Sequence, residues 1–305
     1  MNLNHLKRKL VSGLLAGTLL LGMTGVSTVN AATSSASDYL KQMNKSLSKV
    51  ESYTANQTMP LDFSMTMKMD KQKESMKFKT TTTSTQTTIN KPDFKSKAVT
   101  KMSTSINGEK QTTTQKMYMK KDKKGNTICY SFFDDSKTPI KTTVKASQMN
   151  QVIQSVDVSM LTNAKIIDKN YTLNNKKVIK ISAELTGSSL KKAMKNLLKM
   201  DGLPQDEEVQ KLTEQLLDFS KVKPVKYIYY IDPKTNLPVK CTADMKDFLD
   251  TYMQSMLTNL LNSDLMKTEE TTSMDIKVNV TKANMSITYT DYNQTKEIKF
   301  PSSCK

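Results

Sequence analysis

Histidine is almost missing from this chain. His5 is the only one, and it stands among the first residues, beside Lys7, Arg8 and Lys9. Beyond them no Ser-His-Asp triad, Cys-His pair or His-ligated zinc can be assembled. Arg8 is likewise the only arginine, and tryptophan is absent. The planar fork that clamps phosphates and reads bases is therefore missing, as are basic patches interleaved with aromatics. This composition argues against a nucleic-acid reader. After Gly25 only the isolated Gly108, Gly125, Gly187 and Gly202 remain, which excludes a Gly-rich phosphate loop. Adjacent acids occur at Asp134-Asp135, Glu207-Glu208 and Glu269-Glu270. Neighbours in sequence diverge, so these read as solvated charges, and no carboxylate pair is expected to converge for glycosidase chemistry. No catalytic residue, metal site or cofactor is expected.

The N-terminus follows the order of an export signal. The cluster Lys7-Arg8-Lys9 precedes an apolar stretch from Leu10 to about Val26, and Val29-Asn30-Ala31 offers small residues for cleavage. The stretch is short for a membrane span of roughly 20 residues. Residues 1–31 are thus read as a removable signal, 32–36 as a disordered lead and 37–305 as a single α+β domain. The product is expected outside the cytoplasmic membrane, secreted or associated with the cell envelope. Lys7, Arg8 and Lys9 account for three of the chain's +17, leaving +14 for the rest. That excess is either a solvated surface or an attraction for an anionic membrane surface or wall polymer, through stretches such as Lys120–Lys124 and Lys191–Lys199. Cys129, Cys241 and Cys304 are odd in number and fit no metal spacing. Cys241, alternating with Leu237, Val239, Ala243 and Met245, reads as a small buried side chain, and a disulfide between two of the three is left open.

Period-two patterning dominates the rest. Leu61, Phe63, Met65, Met67 and Met69 alternate with polar residues, giving a strand with one apolar face. Strands are expected over the Thr-rich Met76–Ile89, from Phe94 to Ile106, around Met117 and Met119, and along Ile128, Tyr130 and Phe132. Turns are expected at Asn107-Gly108 and Gly125-Asn126, with Pro139 closing the region. Two strands flank Asn174-Asn175. Tyr227–Ile231 and Leu237–Cys241 flank Asp232–Asn236. In the last region the apolar parity switches between Val280 and Met285, which calls for a bulge or tight turn, and Ile298 and Phe300 are placed in a closing strand. Helices are expected after a Ser37 cap, with Leu40, Met43, Leu47 and Val50 on one face, at about 147–156, as a pair between Leu190 and Leu217, and along Phe248–Leu261. With no helical crossovers in the first region, the sheet should be an antiparallel meander.

Methionine is frequent, 21 in all. Flexible, polarizable thioethers suit irregular apolar partners, so the stripes are either ordinary core or the lining for an acyl chain. The segment ending Val50-Glu51-Ser52-Tyr53, the alternating Phe63–Asp70, the run Tyr229–Val239 and the ending Tyr292–Pro301 resemble the LolA/LppX-like superfamily of exported lipid-binding proteins, in a Firmicutes branch. The resemblance implies a curved antiparallel sheet, an incomplete barrel whose concave face is covered by amphipathic helices. It also implies a non-catalytic partner for lipid or another amphiphile. The candidate lining is Leu61, Phe63, Met65, Met67 and Met69, covered by Phe248, Tyr252, Met256 and Leu260. The chain departs from lipoproteins of this type in lacking a lipid-attachment cysteine. The alternative is a structural or interaction protein of the cell surface with no ligand cavity.

Overall fold

A computed structural model describes residues 35–69, 72–145, 158–191, 222–262 and 274–304, without the side chains at the ends of some elements, among them Met69 and Leu260. The expected helix at 147–156 and most of the pair between Leu190 and Leu217 lie outside these residues.

The eleven strands of the described residues form one open antiparallel sheet, ordered β6-β5-β4-β3-β2-β1-β11-β10-β9-β8-β7. Two meanders build it. The first runs outward through β1 (Ser52–Met69), β2 (Gln72–Ile89), β3 (Lys95–Ile106), β4 (Glu109–Lys121), β5 (Thr127–Phe133) and β6 (Ile140–Val144). The second runs inward through β7 (Leu161–Leu173), β8 (Lys176–Leu185), β9 (Val225–Ile231), β10 (Pro238–Asp244) and β11 (Met274–Thr290). They join where β1 pairs with β11, and β6 and β7 are left as the two edges. Pro139 does not close the first region: β6 follows it immediately and pairs with β5.

Local chemistry sets the hairpins. Asn107 and Gly108 have φ of 51° and 100°, and Asn174 and Asn175 have 48° and 62°. Both pairs take the left-handed conformation of a two-residue turn that matches strand twist. In the turn 122–126 the Asp122 carboxylate accepts from the Lys124 and Asn126 backbone N–H groups, each at 2.8 Å.

The parity switch in β11 is a bulge. Asp62 pairs with Lys282 and the next residue, Phe63, with Val280, so Thr281 is the extra residue. Its hydroxyl donates to the Asp62 carbonyl at 3.2 Å. Val280 below the bulge and Ala283 and Met285 above it then all point to one face. A second register shift falls between Pro238 and Lys240. It brings Pro238, rather than the expected Val239, into a buried position.

Among the described residues two full helices lie on the front face. In α1 (Ala36–Leu47) the cap is Ser35, not Ser37: Asp38 N–H donates to the Ser35 hydroxyl, and the Asp38 carboxylate accepts from Ser35 N–H in return. Ala36, Leu40 and Met43 join the main core, and the helix packs near β7. The other helix, α2 (Lys246–Asn262), leaves β10 through the buried Met245 and lies along β11. No helix among the described residues is long and apolar enough to cross a membrane.

A smaller cluster, Tyr118, Tyr130, Phe132 and Cys304, lies on the back face. The C-terminal segment covers it. Thr295 N–H donates to the Ser52 hydroxyl at 3.0 Å, Ile298 is buried and Phe300 packs on Tyr118 at 5.5 Å. Ile298 and Phe300 therefore do not form a closing strand; they cross behind the sheet.

Helix α2 also satisfies a strand edge. Strand β10 ends at Asp244, opposite Asn284, so among the described residues the first half of β11 has no strand on that side. There the Asp250 carboxylate accepts from Val280 N–H at 2.7 Å. The Gln254 side-chain carbonyl accepts from Val278 N–H, and its amide donates to the Ile276 carbonyl, each at 2.8 Å. Side chains one helical turn apart thus cover an edge that would otherwise be open to pairing. Asp250→Ala should cost about 1–3 kcal/mol in urea unfolding, because a partly buried N–H loses a charged acceptor. Asp250→Asn, which keeps a carbonyl, should cost less; equal stability of Asp250→Ala and the parent would refute the clamp.

Candidate apolar binding site

Register aligns the apolar residues of three strands. On β1, Phe63 stands between Phe78 of β2 and Val280 of β11, Met65 between Met76 and Val278, and Met67 opposite Ile276. Phe63 and Phe78 stack at 4.5 Å with their planes 8° apart. Leu61, Phe63, Met65 and Met67 are all buried, Met65 completely so at 0% exposure.

These side chains share one core with α2. The deep stripe of that helix is Leu249, Met253 and Leu257, spaced one turn apart, with Phe248 beside it. Of the expected covering residues, Phe248 is buried, whereas Tyr252 and Met256 are half-buried on the helix's shoulder. Tyr252 stacks on Phe248 at 5.8 Å. The side chains of Met69 and Leu260 lie outside the described residues; their backbones end β1 and fall in the last turn of α2. The shoulder lies on the opposite side of the helix from Asp250 and Gln254, the side chains that hold α2 to β11.

The same face carries buried hydroxyls. Tyr227 and Tyr229 of β9 are buried, and Tyr229 faces Cys241 across the ladder. Burial raises the Tyr229 hydroxyl well above its usual range, with Cys241 adding to the effect. Burial pushes the Cys241 thiol up to about 12, eased by a hydrogen bond from Tyr229. The Tyr292 hydroxyl donates to the Pro238 carbonyl at 2.6 Å. All three cysteines are free thiols, and Cys241 is 1% exposed, the small buried residue expected. Across β2 and β3 the front face changes character. Hydroxyls pair there as Thr80–Thr104 at 3.3 Å, Ser84–Thr100 at 2.9 Å and Thr88–Ser96 at 3.2 Å.

Sequence periodicity missed Asp250 and Gln254, since it scores apolar residues. Their signal was two polar residues one turn apart, flanking an apolar stripe. The depth of Leu249, Met253 and Leu257 relative to Tyr252 and Met256 was equally hidden, because all five fall within the wide apolar arc of α2. Among the described residues no group of three His, Cys, Asp or Glu could hold a metal ion.

The chain matches no protein-family model and no curated protein. Among solved structures it is similar to the Mycobacterium tuberculosis lipoprotein LppX, with 11% identity over 87% of this chain and 98% of that one and a TM-score of 0.38. It is similar also to a DUF1329 family protein from Desulfovibrio piger, with 8% identity over 86% and 93% and a TM-score of 0.25. A putative outer membrane lipoprotein-sorting protein domain from Vibrio parahaemolyticus aligns with 7% identity over 79% and 87% and a TM-score of 0.18.

The buried thiol and phenol give a pH dependence of known sign. In the unfolded chain Cys241 ionises near 9.0, and in the folded chain at about 12. The stabilisation it carries is complete below the lower value and is lost as pH rises through the higher one. Tyr229 acts in the same sense. Urea midpoints should therefore fall between pH 9 and 12, and Cys241→Ala should make the fall shallower. An unchanged slope in Cys241→Ala would place the alkaline sensitivity elsewhere.

Proposed function

We propose that this is an exported, non-catalytic binding protein of the cell envelope whose ligand is a lipid or another amphiphile. One observation carries the reading. The Met-rich floor of β1, β2 and β11 is covered by a helix held to β11 by Asp250 and Gln254, while its opposite shoulder keeps Tyr252 and Met256 half-buried. An acyl chain would enter along Tyr252 and Met256 and lie over Phe63, Met65 and Met67, where flexible thioethers adapt to its shape. The lack of histidine beyond His5 and the signal-like N-terminus support a non-catalytic role outside the cytoplasm. An anionic membrane surface or wall polymer is the proposed environment, given the positive charge.

The second reading is a surface protein in which the same residues are only core. The complete burial of Met65, Met245 and Leu257 favours it. Native mass spectrometry of the gently purified chain separates the two, since the first reading expects co-purified lipid mass. Met256→Glu should weaken fluorescent fatty-acid binding by roughly tenfold or more, since a carboxylate in the path would have to be desolvated. It should leave the circular dichroism spectrum unchanged. No co-purified lipid together with no fatty-acid binding by the parent would favour the core-only reading.

A further inference from the structure

The back of the first meander separates charge by sign. Every lysine of β2, β3 and β4 except Lys121, at the end of β4, lies on the back face, whereas both acids of these strands, Glu74 and Glu109, lie on the front. The assignment follows from register. Lys77 stands opposite Ser64, Lys101 opposite Thr83 and Thr114, Lys110 opposite Ser105, and Lys116 opposite Val99. These four side chains are exposed. Asp62 on β1 stands directly opposite Lys79, and Asp134 after β5, at the margin of the patch, is engaged with the Thr114 backbone N–H at 2.7 Å.

Solvation alone does not account for this arrangement. An ordinary wet sheet face mixes both signs. The other half of the same face does so: Lys226 stands between Asp244 and Glu184. On the first half Lys73 is placed directly opposite Lys68, a like-charge pairing that destabilises a sheet, and Lys95 opposite Lys120, whose ammonium is held by the Cys304 carbonyl at 3.1 Å. Among the described residues no ion pair joins the lysines of this patch to a carboxylate. The exposed Lys77, Lys101, Lys110 and Lys116 face no acid across the described ladders, so the patch is complementary to an anionic partner.

We propose that the back face of β2–β4 docks on a bilayer containing anionic lipid. Strands spaced about 4.8 Å apart, with same-face residues about 6.8 Å apart along each, spread these ammonium groups in two dimensions. A bilayer presents its phosphates in two dimensions, whereas a single linear polyanion would follow one row. Lysine suits such a partner because it is a point charge with no required angle of approach. The aromatic residues of this face, Tyr118, Tyr130 and Phe132, are covered by the C-terminal segment, so docking is electrostatic and without insertion. The docked molecule turns its helix-covered front away from the membrane plane. The inference rests on the envelope setting proposed above but not on the apolar site.

The test is sedimentation of the purified exported chain with vesicles of phosphatidylglycerol mixed with phosphatidylcholine, and of phosphatidylcholine alone, over a salt series. The chain should bind the mixed vesicles only, and lose them as salt rises. Each lysine near an anionic surface counts for roughly fivefold in partitioning, so Lys101→Glu/Lys110→Glu/Lys116→Glu should bind at least ~100-fold more weakly. Its thermal melt and its fatty-acid binding should match the parent, which keeps failure here distinct from failure of the apolar site. Equal binding to both vesicle types, or parent-like binding by the triple variant, would overturn the proposal. So would capture of soluble polyphosphate by a chain that ignores the mixed vesicles, which would assign the face to a linear polyanion.

Discussion

The pairing of β1 with β11 is the constraint on which the rest of the structure depends. It joins two meanders, the first of them a local series of hairpins, into one sheet. It also closes the largest separation in sequence, so its loop-closure entropy must be offset by burial along its length. The bulge at Thr281 allows that burial. Without it, every β11 side chain on one side of Asp62 would turn to the wrong face, and either Ile276–Val280 or Ala283–Ile287 would leave the core. With it, both groups reach the front, where Phe63, Met65 and Met67 lie. Helix α2 then completes the edge of β11 that β10 leaves uncovered, using Asp250 and Gln254 in place of a strand.

Much of this was legible in the sequence, for a physical reason. Alternation over Leu61–Met69 and the left-handed turn residues Asn107-Gly108 and Asn174-Asn175 are local signals, and local signals determine hairpins. The antiparallel class and the helix along Phe248–Leu261 followed from them. The expectations that failed depended on distant partners. Pro238 displaced Val239 because a register shift against β9 turned the strand. Ser35 outranked Ser37 as a cap because only Ser35 has Asp38 three residues on. Ile298 and Phe300 carry the same alternation whether they pair in a sheet or cross behind one, so their place was decided by the cluster around Tyr118. Even the parity switch before Met285 left bulge and turn equally open, and the β1 partner decided it.

The candidate site was legible as a stripe but not in depth. Periodicity placed Leu61, Phe63, Met65 and Met67 on one face, and there they are. It could not separate a floor from a wall, because depth is a property of the packed helix. The segregation of lysines was equally invisible along the chain. Lys120 and Lys121 are neighbours in sequence yet belong to opposite faces, so a run such as Lys120–Lys124 is not the unit that a partner would meet. Register divides the charge, and with it the molecule. The front carries apolar and hydroxyl side chains under helices, and the back carries ammonium groups in water.

These two faces assign two kinds of contact to one sheet, and hydrogen–deuterium exchange with and without a bound fatty acid examines the first of them most directly. The account predicts that exchange changes in α2 and in the facing stretches of β1 and β11, with the amides of Val278 and Val280 among those affected, while the lysine-bearing half of β3 and β4 stays as it was. A fatty acid that binds yet alters only β3 and β4, or that alters no segment at all, would contradict the claim that the apolar front of this sheet receives the ligand.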